Sequence, residues 1–371
     1  MKKWFLALGM LALAGTASAK VITDVAGRQV DVPQEAKRII LGEGRQIYLL
    51  AAFDTDAPFS RVIGWRDDLP KADWDGYQAY EKRYPQIKKL PTFGGAKDGT
   101  FNVEQALTLK PDLVLMNLES KAATDEGKLI EKLQAVGVPV VFIDFREAPF
   151  VNAEKSIRIM GELVNKPARA QEIITFRQQQ IERVTSRLKN FTGYRPKVMI
   201  DRAGGYSDEC CMSFGSENFG QMVEIAGGRN IAKGVIPGTF GTLNPEQIIA
   251  SQPDVVVVTG ANWKNYNTVG KWVGVGPGAN VTEATARLKA LMTRDAFKTL
   301  PVAHNGHVHA IWHQFYDSPY QFVAIQALAK WLHPDLFADL DPDATFREFH
   351  EKFLPLPYQP GYWVTLPADK S

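Results

Sequence analysis

Asn102-Val103-Glu104-Gln105, followed by Pro111-Asp112-Leu113-Val114-Leu115, recurs as Asn244-Pro245-Glu246-Gln247 followed by Pro253-Asp254-Val255-Val256-Val257. Each position of the second string stands 142 residues after its counterpart, so spacing is shared as well as composition. Agreement along the whole string marks a duplicated architectural unit. Both copies have the same physical reading. Asn102 and Asn244 are good helix N-caps, and Pro245 occupies a first helical position where its missing N–H costs nothing. Glu104 and Glu246 fall in the first turn, where the helix dipole favours a carboxylate. Pro-Asp breaks the short helix. The apolar run that follows is continuous, as in a strand covered on both faces.

Working outward, further strand candidates lie at 38–41, 62–65, 138–143, 198–200 and 308–311, with helical patterns between most of them, which is α/β organisation. Residues 168–190 are polar with Ala170, Ile173, Ile174, Ile181, Val184 and Leu188 along one stripe, the pattern of a single amphipathic helix about 34 Å long. The expected layout is an N-terminal α/β lobe at 20–167, a connecting helix at 168–190 and a C-terminal α/β lobe at 191–371.

Residues 1–19 read as an export signal: Lys2 and Lys3, an apolar run over 4–14, then Ala17-Ser18-Ala19 as a cleavage site before Lys20. The run is short against the roughly 20 residues needed to span a bilayer, so the expectation is a soluble periplasmic protein without a membrane anchor. The formal charge of +2 comes from 43 basic and 41 acidic residues, and the two Lys of the leader account for it. A neutral mature chain without a basic cluster argues against nucleic-acid binding. Two cysteines are too few for a disulfide scaffold.

The chain resembles the periplasmic substrate-binding proteins of ABC importers for ferric siderophores, haem and cobalamin. The residues that carry the likeness are Ile22-Thr23-Asp24-Val25-Ala26-Gly27-Arg28, Val32-Pro33, Lys37-Arg38-Ile39-Ile40, both repeat strings, Glu224-Ile225-Ala226-Gly227-Gly228-Arg229-Asn230, Leu300-Pro301-Val302-Ala303-His304-Asn305-Gly306-His307-Val308, and His333-Pro334-Asp335-Leu336-Phe337 with the segment 346–353. The resemblance implies two Rossmann-like lobes bridged by one long α-helix, with a ligand cleft between the lobes. It implies a monomeric carrier that captures an iron chelate and docks on a permease dimer through one acidic residue per lobe, here Glu104 and Glu246. It implies no cofactor and no directly bound metal.

Ligands of open α/β sheets bind beyond the carboxyl ends of the strands. Those loops hold Gly42-Glu43-Gly44-Arg45, Trp65, Arg66, Phe145 and Arg146 in the first lobe, and Arg202, Tyr206, Trp263, Lys264, Tyr266, Trp312, His313 and Tyr316 in the second. Arginines with aromatic rings suit a large anionic ligand such as a ferric siderophore, since guanidinium groups bind its oxygens while rings stack on its frame. Cys210 and Cys211 are adjacent in the loop after the second lobe's first strand. In an oxidising compartment they are expected to form a vicinal disulfide, a rigid platform facing ligand; free buried thiols and a redox site are the alternatives.

His304, His307, His309 and His313 fall within ten residues. They raise a rival reading, uptake of haem or a transition-metal ion, with Asp208 and Glu209 as further donors and Tyr206 or His313 as a haem ligand. The reading preferred here is structural for the first three, with His309 inside a sheet. An enzyme is not expected: there is no G-x-x-x-x-G-K-[ST] loop and no G-x-S-x-G elbow.

Overall fold

The computed structural model describes residues 19–370, so the expected export signal lies outside the described residues save for Ala19, the first residue of a strand. Strands β1 (Ala19–Thr23) and β2 (Gln29–Pro33) form an antiparallel hairpin. Asp24 organises its turn by accepting from the backbone N–H of Ala26 and of Arg28, both at 3.0 Å. Strands β3 (Ile39–Leu41), β4 (Val62–Arg66), β5 (Thr92–Phe93), β6 (Leu113–Asn117) and β7 (Val140–Ile143) then build one parallel sheet in the order β5-β4-β3-β6-β7.

The second half contributes β8 (Lys197–Asp201), β9 (Met212–Phe214), β10 (Arg229–Asn230), β11 (Phe240–Thr242), β12 (Val255–Gly260), β13 (Val308–Trp312) and β14 (Trp363–Leu366). Five of them form a sheet ordered β10-β8-β12-β13-β14, parallel except for β14, while β9 and β11 pair as a separate antiparallel ribbon. The result is a two-lobed α/β protein.

The repeat has a structural meaning in this topology. Asn102 and Asn244 cap their helices, accepting from Gln105 N–H at 2.9 Å and Glu246 N–H at 2.8 Å. Asp112 then accepts from the backbone of Lys37 and Arg38, at the start of β3, and Asp254 accepts from Lys197, the first residue of β8. Each Pro-Asp thus pins the neighbouring strand at its entry, satisfying N–H groups that have no ladder partner there.

The helix Pro167–Leu188 lies between the two sheets in the chain and is about 33 Å long. Its buried side includes Ile173, Ile174 and Phe176, and Phe176 meets Phe322, Phe349 and Phe353 from the second half. Arg177, buried in the same stripe, donates to Pro319 O at 2.9 Å and to Gln321 Oε1 at 3.1 Å. Toward the first half, Arg169 of the same helix donates from Nε to Ala52 O at 2.9 Å.

Candidate functional site

Both sheets direct their carboxyl ends toward one another, and the loops beyond those ends carry the polar residues. After β3 the chain turns through Gly44–Gln46, which places Arg45 at the junction of the halves. Its Nε donates to Asp68 Oδ2 at 2.8 Å, and its Nη1 reaches Gln314 Oε1 at 3.1 Å and the Tyr316 hydroxyl at 2.9 Å. Glu43 also accepts from it. Arg146, beyond β7, pairs with Glu43, Glu119 and Asp317. The face of Tyr316 lies 5.9 Å from the Arg45 guanidinium and 5.2 Å from that of Arg146. Two arginines therefore share two carboxylates, Glu43 and Asp317, one from each half, over an aromatic ring.

Burial penalises every charge in this group, and the balance differs by residue. For Glu43, burial alone would raise the carboxyl, but Arg146 and Arg45 outweigh it and bring it down to about 2. For Asp317, burial dominates and pushes the carboxyl up to about 7 in spite of Arg146. Burial likewise raises Asp68.

Arg202 has a different environment. It follows β8, and its guanidinium lies 4.1 Å from the Phe240 ring and 5.7 Å from Phe214, with Met212 Sδ at 3.8 Å. No carboxylate pairs with it among the described residues, and burial lowers its pKa. Its Nε–H, like that of Arg146, is buried without an acceptor. These are spare donors at a lobe junction. Arg66 lies half-buried at the end of β4, about 4.0 Å from Asp98. A cavity of about 450 Å³ opens here, lined by Glu43, Arg66, Lys97, Asn117, Glu119 and Arg146 among others.

The aromatic residues expected in the cleft separate into two groups. Tyr206, Trp263, Tyr266, His313 and Tyr316 cluster: Tyr206 meets Trp263 at 5.5 Å and Tyr266 at 6.4 Å, and His313 meets Tyr316 at 4.4 Å. His313 Nδ1 is 2.8 Å from Thr259 Oγ1, and burial with Arg202 nearby holds the ring neutral. Trp65 and Trp312 pack away from this cluster, although Trp263 is about as buried as either. Trp65 packs edge-on to Phe59 at 5.6 Å, and Trp312 packs against Tyr48 and Tyr362. A strand end supplies side chains to both faces of its sheet, so position beyond a strand does not distinguish loop from core.

Cys210 and Cys211 form a disulfide across a cis peptide bond. Cys211 is buried and bonds Leu243 in the backbone, extending the β9–β11 ribbon whose Met212 and Phe240 flank Arg202. Glu104 and Glu246 are exposed in the first turns of their helices. His309 lies in β13, stacked 4.2 Å over Trp331, and His304 contacts Asp369, so the histidines do not converge. Among the described residues no three His, Cys, Asp or Glu side chains group as a metal site. The sequence reading passed over Asp68, Glu119, Asp317, Phe214 and Phe240. Glu119 and Asp317 follow strands just as the arginines do, and the same rule applied to acids would have selected them.

The chain matches the family described as periplasmic binding protein over residues 66–313. Among solved structures it is similar to the TroA-like periplasmic binding protein FepB from Veillonella parvula, 27% identical with a TM-score of 0.84, covering 93% of this chain and 99% of that one. The molybdate-binding protein MolA of Haemophilus influenzae is 23% identical over 363 residues, 92% of each chain. A cobalamin-binding protein of Halobacterium salinarum is 25% identical over 218 residues, 56% of this chain and 55% of its own length.

Proposed function

We propose that this chain, which belongs to the periplasmic binding protein family, carries a ferric siderophore in the arginine-lined cleft and delivers it to an ABC permease. It is the substrate-binding component of an ABC importer, a transport protein and not an enzyme. Among the described residues no helix is long and apolar enough to cross a membrane. The observation that supports the ligand class is Arg202, a half-buried cation whose Nε–H is itself buried without an acceptor and whose guanidinium faces two aromatic rings. Taking an unpaired charge even partly out of water is costly, and an anionic ligand with a flat organic frame would offset that cost. Glu104 and Glu246 serve as the docking acids, one on each lobe.

A second reading is a small oxyanion. It is favoured by the molybdate-binding relative, which aligns over 92% of this chain. Tryptophan-fluorescence titration separates the two. The siderophore reading expects saturable quenching by a ferric catecholate, hydroxamate or carboxylate chelate and none by molybdate. Saturation by molybdate alone, by haem, by cobalamin or by free metal ions would replace it with the corresponding ligand.

A further inference from the structure

We propose that a second cavity, walled off from the arginine cleft, binds an organic cation, an alkylammonium or quaternary ammonium group, against the carboxylate of Asp73. The cavity measures about 340 Å³ and shares no lining residue with the polar one. Gln314 stands between them: its Oε1 accepts from Arg45 on the cleft side, and its Nε2 donates to Ala72 O at 2.8 Å, next to Asp73.

The walls are aromatic and come from both halves. Tyr48 and Tyr80 belong to the first; Trp312, Phe346 and Tyr362 belong to the second. The rings touch in series, Tyr48 to Trp312 at 5.6 Å, Trp312 to Tyr362 at 5.2 Å and Tyr362 to Phe346 at 4.8 Å. Ring faces attract a desolvated cation, and an anion gains nothing from them.

Two polar groups on the lining add to this. Asp73 is 1% exposed and has a hydroxyl and an amide on it, Tyr48 Oη at 2.7 Å and Gly76 N at 3.2 Å, with the Trp312 side chain also favouring its charged form, but no Lys or Arg pairs with it among the described residues. Burial pushes its carboxyl up to about 6, and the neighbouring Asp75 adds to the rise. His350 donates from Nδ1 to Leu356 O at 2.9 Å, since a carbonyl can only accept, and burial keeps the ring neutral. Its Nε2 is therefore a lone pair, buried and unpartnered. An acid without a cation and an imidazole without a donor, among aromatic side chains, are complementary to a positively charged donor. Lys82 and Arg83 stand at the mouth, but both are exposed, so water and salt screen their repulsion.

Isothermal titration of the whole protein with choline, tetramethylammonium and 3,3-dimethylbutan-1-ol, the neutral carbon analogue of choline, tests this. Choline should bind saturably, about tenfold or more tighter than the neutral analogue. Asp73→Asn keeps an acceptor for Gly76 N–H and should weaken choline by a similar factor, whereas Arg202→Gln, which lies outside this cavity, should leave it unchanged. Equal affinity for the neutral analogue, no heat from either ammonium, or undiminished binding in a folded Asp73→Asn protein would overturn the proposal. If that variant does not fold, the comparison of choline with its analogue on the unaltered protein still decides. Because the ligand classes and cavities differ, this outcome is independent of the siderophore reading.

Discussion

Arg146, carried by the loop beyond β7, and Asp317, beyond β13, meet as an ion pair that joins one half of the molecule to the other. Arg45 approaches the same carboxylate at 3.6 Å, so two arginines of one half converge on one acid of the other at the place where ligand is proposed to enter. Such a junction responds to pH.

Asp317 titrates near 7 in the folded protein against an ordinary 3.8, so between those values the folded protein retains a proton that the unfolded chain has released. Stability from this group falls as pH rises through that window. Glu43 has the opposite sign: lowered from 4.5 to about 2, it contributes above its ordinary value and loses that contribution as pH falls toward 2. Thermal melts of the wild type should lose stability between pH 4 and 7 more steeply than those of Asp317→Asn. Parallel profiles would refute the assignment to Asp317.

Arg202 is paid for by no carboxylate, so its replacement should separate binding from folding. Arg202→Gln is expected to leave the melting temperature equal or higher. Chelate affinity should fall roughly 10- to 100-fold, the size of a lost hydrogen bond to a charged group. A variant with wild-type affinity would exclude Arg202 from the ligand site.

Charge reversal at Glu104 and Glu246 tests the docking proposal. Both side chains are exposed, and Asn102 and Asn244 supply the helix caps without them. Glu104→Lys with Glu246→Lys should therefore cost about 1 kcal/mol or less each through the helix dipole. Ligand affinity should hold while permease-dependent uptake is lost. Normal uptake by the double variant would assign both acids to capping turns alone.

The disulfide closes a loop of adjacent residues, so its effect on the unfolded chain is small, on the order of 1 kcal/mol. Cys210→Ser with Cys211→Ser should shift melting only slightly, but loosen the ribbon that holds Met212 and Phe240 against Arg202. The expected result is a larger loss of chelate affinity than of stability. Mass measurement of unreduced, denatured protein should find no free thiol; two free thiols would contradict the pairing.

Local order was legible from residue patterns alone. The repeated Asn-x-Glu-Gln with Pro-Asp, the strand cores and the amphipathic stripe from 168 to 190 each depend on neighbours a few positions away, and capping, dipole and periodicity act over that range. The sequence could also nominate arginines at strand ends. It could not rank them, because pairing is a tertiary property: Arg45 and Arg146 look like Arg202 in the sequence, yet only Arg202 lacks a carboxylate. Nor could it show that Trp65 packs on Phe59 while Trp263 bonds Ala72 across the junction, since both stand at or just past the end of an apolar strand. The edge strand β14 and the β9–β11 ribbon went unseen because they are short and take their partners from far along the chain. Which charges are neutralised and which left over was decided by the meeting of the two sheets' carboxyl ends, where burial raises the cost of every unmatched group.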